Sequence, residues 1–161
     1  MDCKIRIKTV QRDYKGMSIF ERAAYDLMIE ENFSLLDEEG VIESILFGKL
    51  TQNGDECILT YNEEDRDEMF NTSTKLTFKT ATPDNISLIR TGTIDTFMYF
   101  EGGKRHLCVY NTGIMPFEVC IFTKSVKNKL LEDGTLEIKY LVEIKGACAQ
   151  ETTLKLEIEK V

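Results

Sequence analysis

The feature that most restricts this chain is a period-two alternation of apolar and polar residues, cut at short intervals by turn dipeptides, over most of its 161 residues. Successive side chains of an extended strand point to opposite faces, so this alternation marks strands with one face in a core. Residues 3–10 set Cys3, Ile5 and Ile7 on one such face. Residues 41–50, 57–61, 74–80, 86–91, 94–100, 105–111, 117–123, 135–142 and 152–158 continue the series. Between them stand Asn53-Gly54, Pro83-Asp84-Asn85, Gly102-Gly103, Gly113, Asp133-Gly134 and Gly146. Asn-Gly, Asp-Gly and Gly-Gly supply the positive φ angles that tight hairpins require. About ten short strands at near-regular spacing predict a sandwich or a barrel. The chain has only two prolines, which suits long continuous strands.

One segment departs from this period. Ser18 followed three residues later by Glu21 has capping-box spacing. Ile19, Phe20, Ala23, Ala24, Leu27 and Met28 then recur at helical intervals. The spacing predicts one amphipathic helix over residues 18–31, packed on the barrel by its apolar face.

A chain of this length suits a single domain over residues 1–161, with a core large enough to need no staples. The start, Met1-Asp2-Cys3-Lys4-Ile5-Arg6, carries no apolar run of the kind that directs secretion, so a cytoplasmic location is expected. No apolar stretch is long enough to span a bilayer. The five cysteines are odd in number and form no CxxC, which reads as reduced, mostly buried thiols rather than a disulfide framework. The net charge of −8 repels a phosphate backbone, so no nucleic-acid partner is expected. Lys4, Arg6 and Lys8 read as a solvated strand face. The cluster Glu63, Glu64, Asp65, Asp67 and Glu68 reads as a solvated acidic loop. It lacks the glycine that a calcium loop turns on.

The runs Ile86-Ser87-Leu88-Ile89-Arg90-Thr91-Gly92 and Phe97-Met98-Tyr99-Phe100-Glu101-Gly102-Gly103-Lys104-Arg105-His106-Leu107 resemble motifs of the YwiB-like family of uncharacterised bacterial proteins. So do Tyr110-Asn111-Thr112-Gly113, Val119-Cys120-Ile121-Phe122-Thr123 and the stretch from Leu136 to Ile144, in the family's order. The resemblance covers residues 41–160 and the first strand. It implies an all-β fold, a closed antiparallel calycin-like, lipocalin-like barrel of about eight to ten strands. No activity or catalytic residue comes with it. Residues 13–40 depart from the pattern as an insertion between the first two strands, carrying the predicted helix. The segment Thr112-Gly113-Ile114-Met115-Pro116 departs from the family's usual turn.

Catalytic chemistry finds little to work with. Neither a GxGxxG nor a GxxxxGK[ST] phosphate loop occurs. His106 is the only histidine, sits mid-strand, and has no GxSxG elbow to serve. His106, Cys108 and Tyr110 share a strand face, and Cys120 lies on the following strand. That is a loose set for zinc, which takes four tetrahedral ligands. No catalytic residue, metal or cofactor is therefore assigned.

Arg90 is the residue that asks for a partner. With Ile86 and Leu88 facing the core, alternation turns Arg90 inward, where a guanidinium must be paired. Gly92 then ends the strand at a rim, which also lets the side chain reach solvent. The aromatic residues Phe97, Tyr99, Phe117, Phe122 and Tyr140 are candidate pocket walls, or plain core. The sequence therefore predicts a barrel that binds a small apolar or amphipathic ligand inside, with Arg90, Tyr99 and Tyr140 as binding residues. The alternative is a non-enzymatic structural or protein-interaction module, with a protein partner or as a homodimer, using the inserted helix or a strand edge.

Overall fold

The computed structural model describes residues 1–13, 39–64, 71–92, 95–111, 116–144 and 147–161. They form ten strands: β1 (Asp2–Asp13), β2 (Glu39–Asn53), β3 (Glu56–Glu64), β4 (Asn71–Lys79), β5 (Thr82–Gly92), β6 (Asp95–Phe100), β7 (Arg105–Asn111), β8 (Pro116–Lys129), β9 (Thr135–Ile144) and β10 (Ala147–Lys160). Each strand pairs antiparallel with its neighbours in sequence, and β1 pairs with β10 to close the barrel. The lipocalin-like outline expected from the sequence fits this shape.

The alternation does the work assigned to it. On β1, Cys3, Ile5 and Ile7 are buried while Asp2, Arg6 and Lys8 are exposed. The outward cations are matched across the sheet, Arg6 with Glu157 and Lys8 with Glu43, each at 3.9 Å. Inward residues of adjacent strands lie side by side and form rows around the barrel. One row is Leu50, Leu59, Leu76, Leu88 and Met98. The next, towards the opposite end from Arg90, is Cys57, Phe78, Ile86 and Phe100. On the far wall Ile7, Leu156 and Leu136 face them. Burying a side chain of this size stabilises by about 1.5–3 kcal/mol, so these rows hold the barrel together.

The wall has one sharp corner. Strand β2 pairs with β1 over Glu39–Lys49 but with β3 only over Gly48–Asn53. Gly48 is where the strand passes from one partner to the other. A Cβ there would stand 2.4 Å from the Thr60 carbonyl oxygen and 2.6 Å from the Ile5 Cδ1. Only glycine allows so close an approach. Beyond the corner the outer edge of β2, from Glu39 to Phe47, has no ladder partner among the described residues. Strands β6 and β7 share just two register pairs, Asp95 with Asn111 and Thr96 with Tyr110. Near their turn the chain crosses to β8 instead: the Gly103 N–H donates to the Thr123 carbonyl at 2.8 Å, and the Thr123 N–H to that of Lys104 at 3.1 Å.

Two sequence expectations need correction. The predicted architecture included an amphipathic helix over residues 18–31, but among the described residues there are strands and no helix. Residues 18–31 themselves lie outside the described residues. Strands β1 and β2 pair directly from Asp2 opposite Lys49 to Arg12 opposite Glu39, so strand pairing alone completes the wall on either side of the 13–40 insertion. The second correction is local. The sequence places a turn at Pro83-Asp84-Asn85, yet β5 begins at Thr82. The register slips at Phe78/Lys79, and the extra residues are pinned to β8. The Asn128 side-chain amide donates to the Pro83 carbonyl at 2.7 Å, and the Asn128 N–H to Asp84 Oδ1 at 3.1 Å. A proline is tolerated in a strand at such an irregularity.

Candidate functional site

The interior changes character at one end. Next to the Leu50–Met98 row, towards the strand ends Asp13, Glu64 and Gly92, comes a row of Tyr61, Thr74, Arg90 and Thr96 on β3 to β6. The wall opposite carries Gln11, Thr152, Tyr140 and Thr123 at adjoining register positions. Leucine and isoleucine thus give way to hydroxyls and a guanidinium within one inward step along each strand. Thr72, Thr74, Thr96, Thr123 and Thr152 are all buried. The hydroxyls of Thr72, Thr96 and Thr123 have no hydrogen-bond partner among the described residues. Leaving a buried hydroxyl unsatisfied costs about 1–3 kcal/mol, and valine would fill the same space without that cost.

A cavity of about 460 Å³ opens between these walls. Its apolar surface comes from Ile7, Leu46, Leu88, Met98, Phe100 and Leu154, and its polar surface from Gln11, Ser44, Glu63, Arg90, Tyr140 and Gln150. Small-molecule sites usually measure about 300–1,000 Å³ and combine apolar walls with a few convergent polar groups. Arg90 Nη2 stands 3.7 Å from Glu63 Oε1, and both side chains are partly exposed, 37% and 25%. Burial pushes the Tyr61 phenol well above its ordinary range, and Glu63 pushes the same way. Arg90 and the Thr74 hydroxyl pull it back. Burial likewise raises Tyr140, against Arg90 and a hydrogen bond with Thr152. Both phenols are therefore neutral donors at neutral pH, and the Arg90 charge acts on both walls.

The predicted binding residues do not converge as a set. Arg90 and Tyr140 line the cavity. Tyr99 does not: Met98 and Phe100 take the inward positions of β6, and Tyr99 sits edge-on to the His106 ring, 4.8 Å between centroids. Phe97 is exposed on the outer face, and Phe122 lies outside beneath the Arg105 guanidinium at 4.4 Å. The Phe117 side chain lies outside the described residues. Cys108 faces inward opposite Val119, which turns Cys120 to the other face and separates the loose zinc set. No metal-binding group of histidine, cysteine and carboxylates occurs among the described residues. The residue that sequence reading passed over is Glu63, counted as loop charge. The alternation Leu59, Tyr61, Glu63 would have turned it inward.

No helix among the described residues is long and apolar enough to cross a membrane. A comparison with solved structures matches the crystal structure of the ywiB protein from Bacillus subtilis, with a TM-score of 0.65 and 16% identity over 99% of this chain and 92% of that one. At that identity the match speaks for the fold alone. No curated protein matches. A family model, the domain of unknown function DUF1934, matches residues 27–156, and the chain accordingly belongs to the DUF1934 family of YwiB-like barrels.

Proposed function

We propose that the barrel binds a small amphipathic molecule, its apolar part on Leu88, Met98 and Phe100 and its polar end near Arg90 and Tyr140. The observation that carries this reading is the cavity of about 460 Å³, lined by both apolar and polar side chains. Barrels of this size either fill their interior with side chains or hold one small ligand. The test is titration with an anionic fluorophore and its displacement by medium-chain fatty acids. A Met98→Trp variant that keeps the wild-type circular dichroism spectrum should lose the probe, because the indole fills the cavity. Full probe binding by a folded Met98→Trp would defeat the proposal.

A second reading has its own observation. The edge of β2 that has no ladder partner among the described residues runs past Val41, Ile45 and Phe47, which are all exposed, Phe47 by 70%. An apolar strand edge of this kind invites pairing with another chain. Concentration-dependent mass in light scattering, abolished by Ile45→Lys, would favour an interaction module instead.

A further inference from the structure

We propose that Glu63 is an internal counter-ion to Arg90, which the carboxylate of the ligand displaces. This rests on the cavity-binding reading above. Glu63 and Arg90 line the same cavity. Their separation of 3.7 Å is longer than a charge-assisted hydrogen bond, about 2.7–2.9 Å, so the pair is loosely engaged. Both side chains reach solvent, and an ion pair so placed is weak and readily exchanged. Each charged residue also has a buried threonine beside it in register, Thr72 next to Glu63 and Thr96 next to Arg90. Neither hydroxyl has a hydrogen-bond partner among the described residues. Arg90 brings to the cavity wall a guanidinium, the group that pairs best with a planar carboxylate. Exchanging one carboxylate for another keeps the local charge balanced. A dianionic head group would add an uncompensated charge beside Glu63, so the class selected is the monocarboxylate with an apolar chain.

The experiment is calorimetric titration of the wild-type protein and Glu63→Gln with decanoate, decanol and decylammonium. Wild-type should prefer decanoate to decanol. Glu63→Gln should bind decanoate roughly threefold to tenfold more tightly, by removal of the competing charge, with decanol unchanged. Decylammonium should bind weakest to both. Unchanged or weaker decanoate binding by Glu63→Gln, with decanol still bound by both proteins, would overturn the counter-ion role and leave the cavity reading standing. Tightest binding of decylammonium to wild-type would overturn the carboxylate assignment. Failure of all three probes would remove both this inference and the reading beneath it.

Discussion

Arg90 and Glu63 approach each other to 3.7 Å across the opening of the cavity, from positions on β5 and β3 that face the barrel interior. The pair is partly solvated, so it contributes little to folding; ion pairs of this kind measure about 0.2–1 kcal/mol. Arg90→Leu should therefore shift unfolding free energy by no more than about 1 kcal/mol in urea titrations. The same variant should lose most of its affinity for a carboxylate ligand, read by calorimetry.

Thr96 presents the opposite balance. Its hydroxyl is buried beside Arg90 and has no partner among the described residues. Thr96→Val should raise stability by about 1 kcal/mol, since it removes an unsatisfied polar group at constant shape. Thermal melts check it, and a loss of stability would show that the hydroxyl is satisfied in the folded protein.

Gly48 is the corner on which the barrel turns. The Thr60 carbonyl and the Ile5 side chain already occupy the space a methyl group would need. Gly48→Ala should destabilise by about 1–3 kcal/mol, the usual range for overpacking, and more if the β2–β3 ladder has to separate. Denaturant titration checks it. A neutral result would show that the corner yields easily.

The described thiols are protected. Cys3, Cys57 and Cys108 are buried, Cys120 is half-buried, and all four are unbridged. Burial pushes Cys108 from 9.0 up to about 11, and raises the other three. The unfolded chain thus loses these protons at lower pH than the folded one. Stability from this source is complete below pH ~9 and declines as pH rises through about 11. Native protein should react slowly with a thiol reagent at pH 8, Cys120 first among the four. Denatured, unreduced protein should titrate all five cysteines of the chain. A count of one or three would mean disulfides.

Much of the barrel was legible because half-buried strands write their own phase. Ile86, Leu88 and Arg90 alternate with Ser87 and Ile89, and that phase places Arg90 on the inner row. The same logic failed for Tyr99 because Phe97, Met98, Tyr99 and Phe100 are all apolar, which leaves the phase open. Register supplies what was missing: Leu88 lies opposite Met98, so Tyr99 points out. Glu63 was obscured by its acidic neighbours, although Leu59 and Tyr61 set the phase four and two residues before it. Pro83 looked like a turn because the Asn128 contacts that hold it in an irregular strand come from 45 residues away. Residues 18–31, with their helical period, lie outside the described residues, and the described wall closes by the direct pairing of β1 with β2.

The central claim is that the cavity beneath Arg90 takes up an amphipathic carboxylate. The most direct measurement follows the methionine methyl signals of 13C-methyl-labelled protein during titration with decanoate. Met98 lines the cavity, whereas Met1 is exposed at the chain terminus. A saturable shift of the Met98 signal is expected, absent in Arg90→Leu, with Met1 unmoved. A Met98 signal that stays in place at decanoate concentrations up to the millimolar range would contradict it.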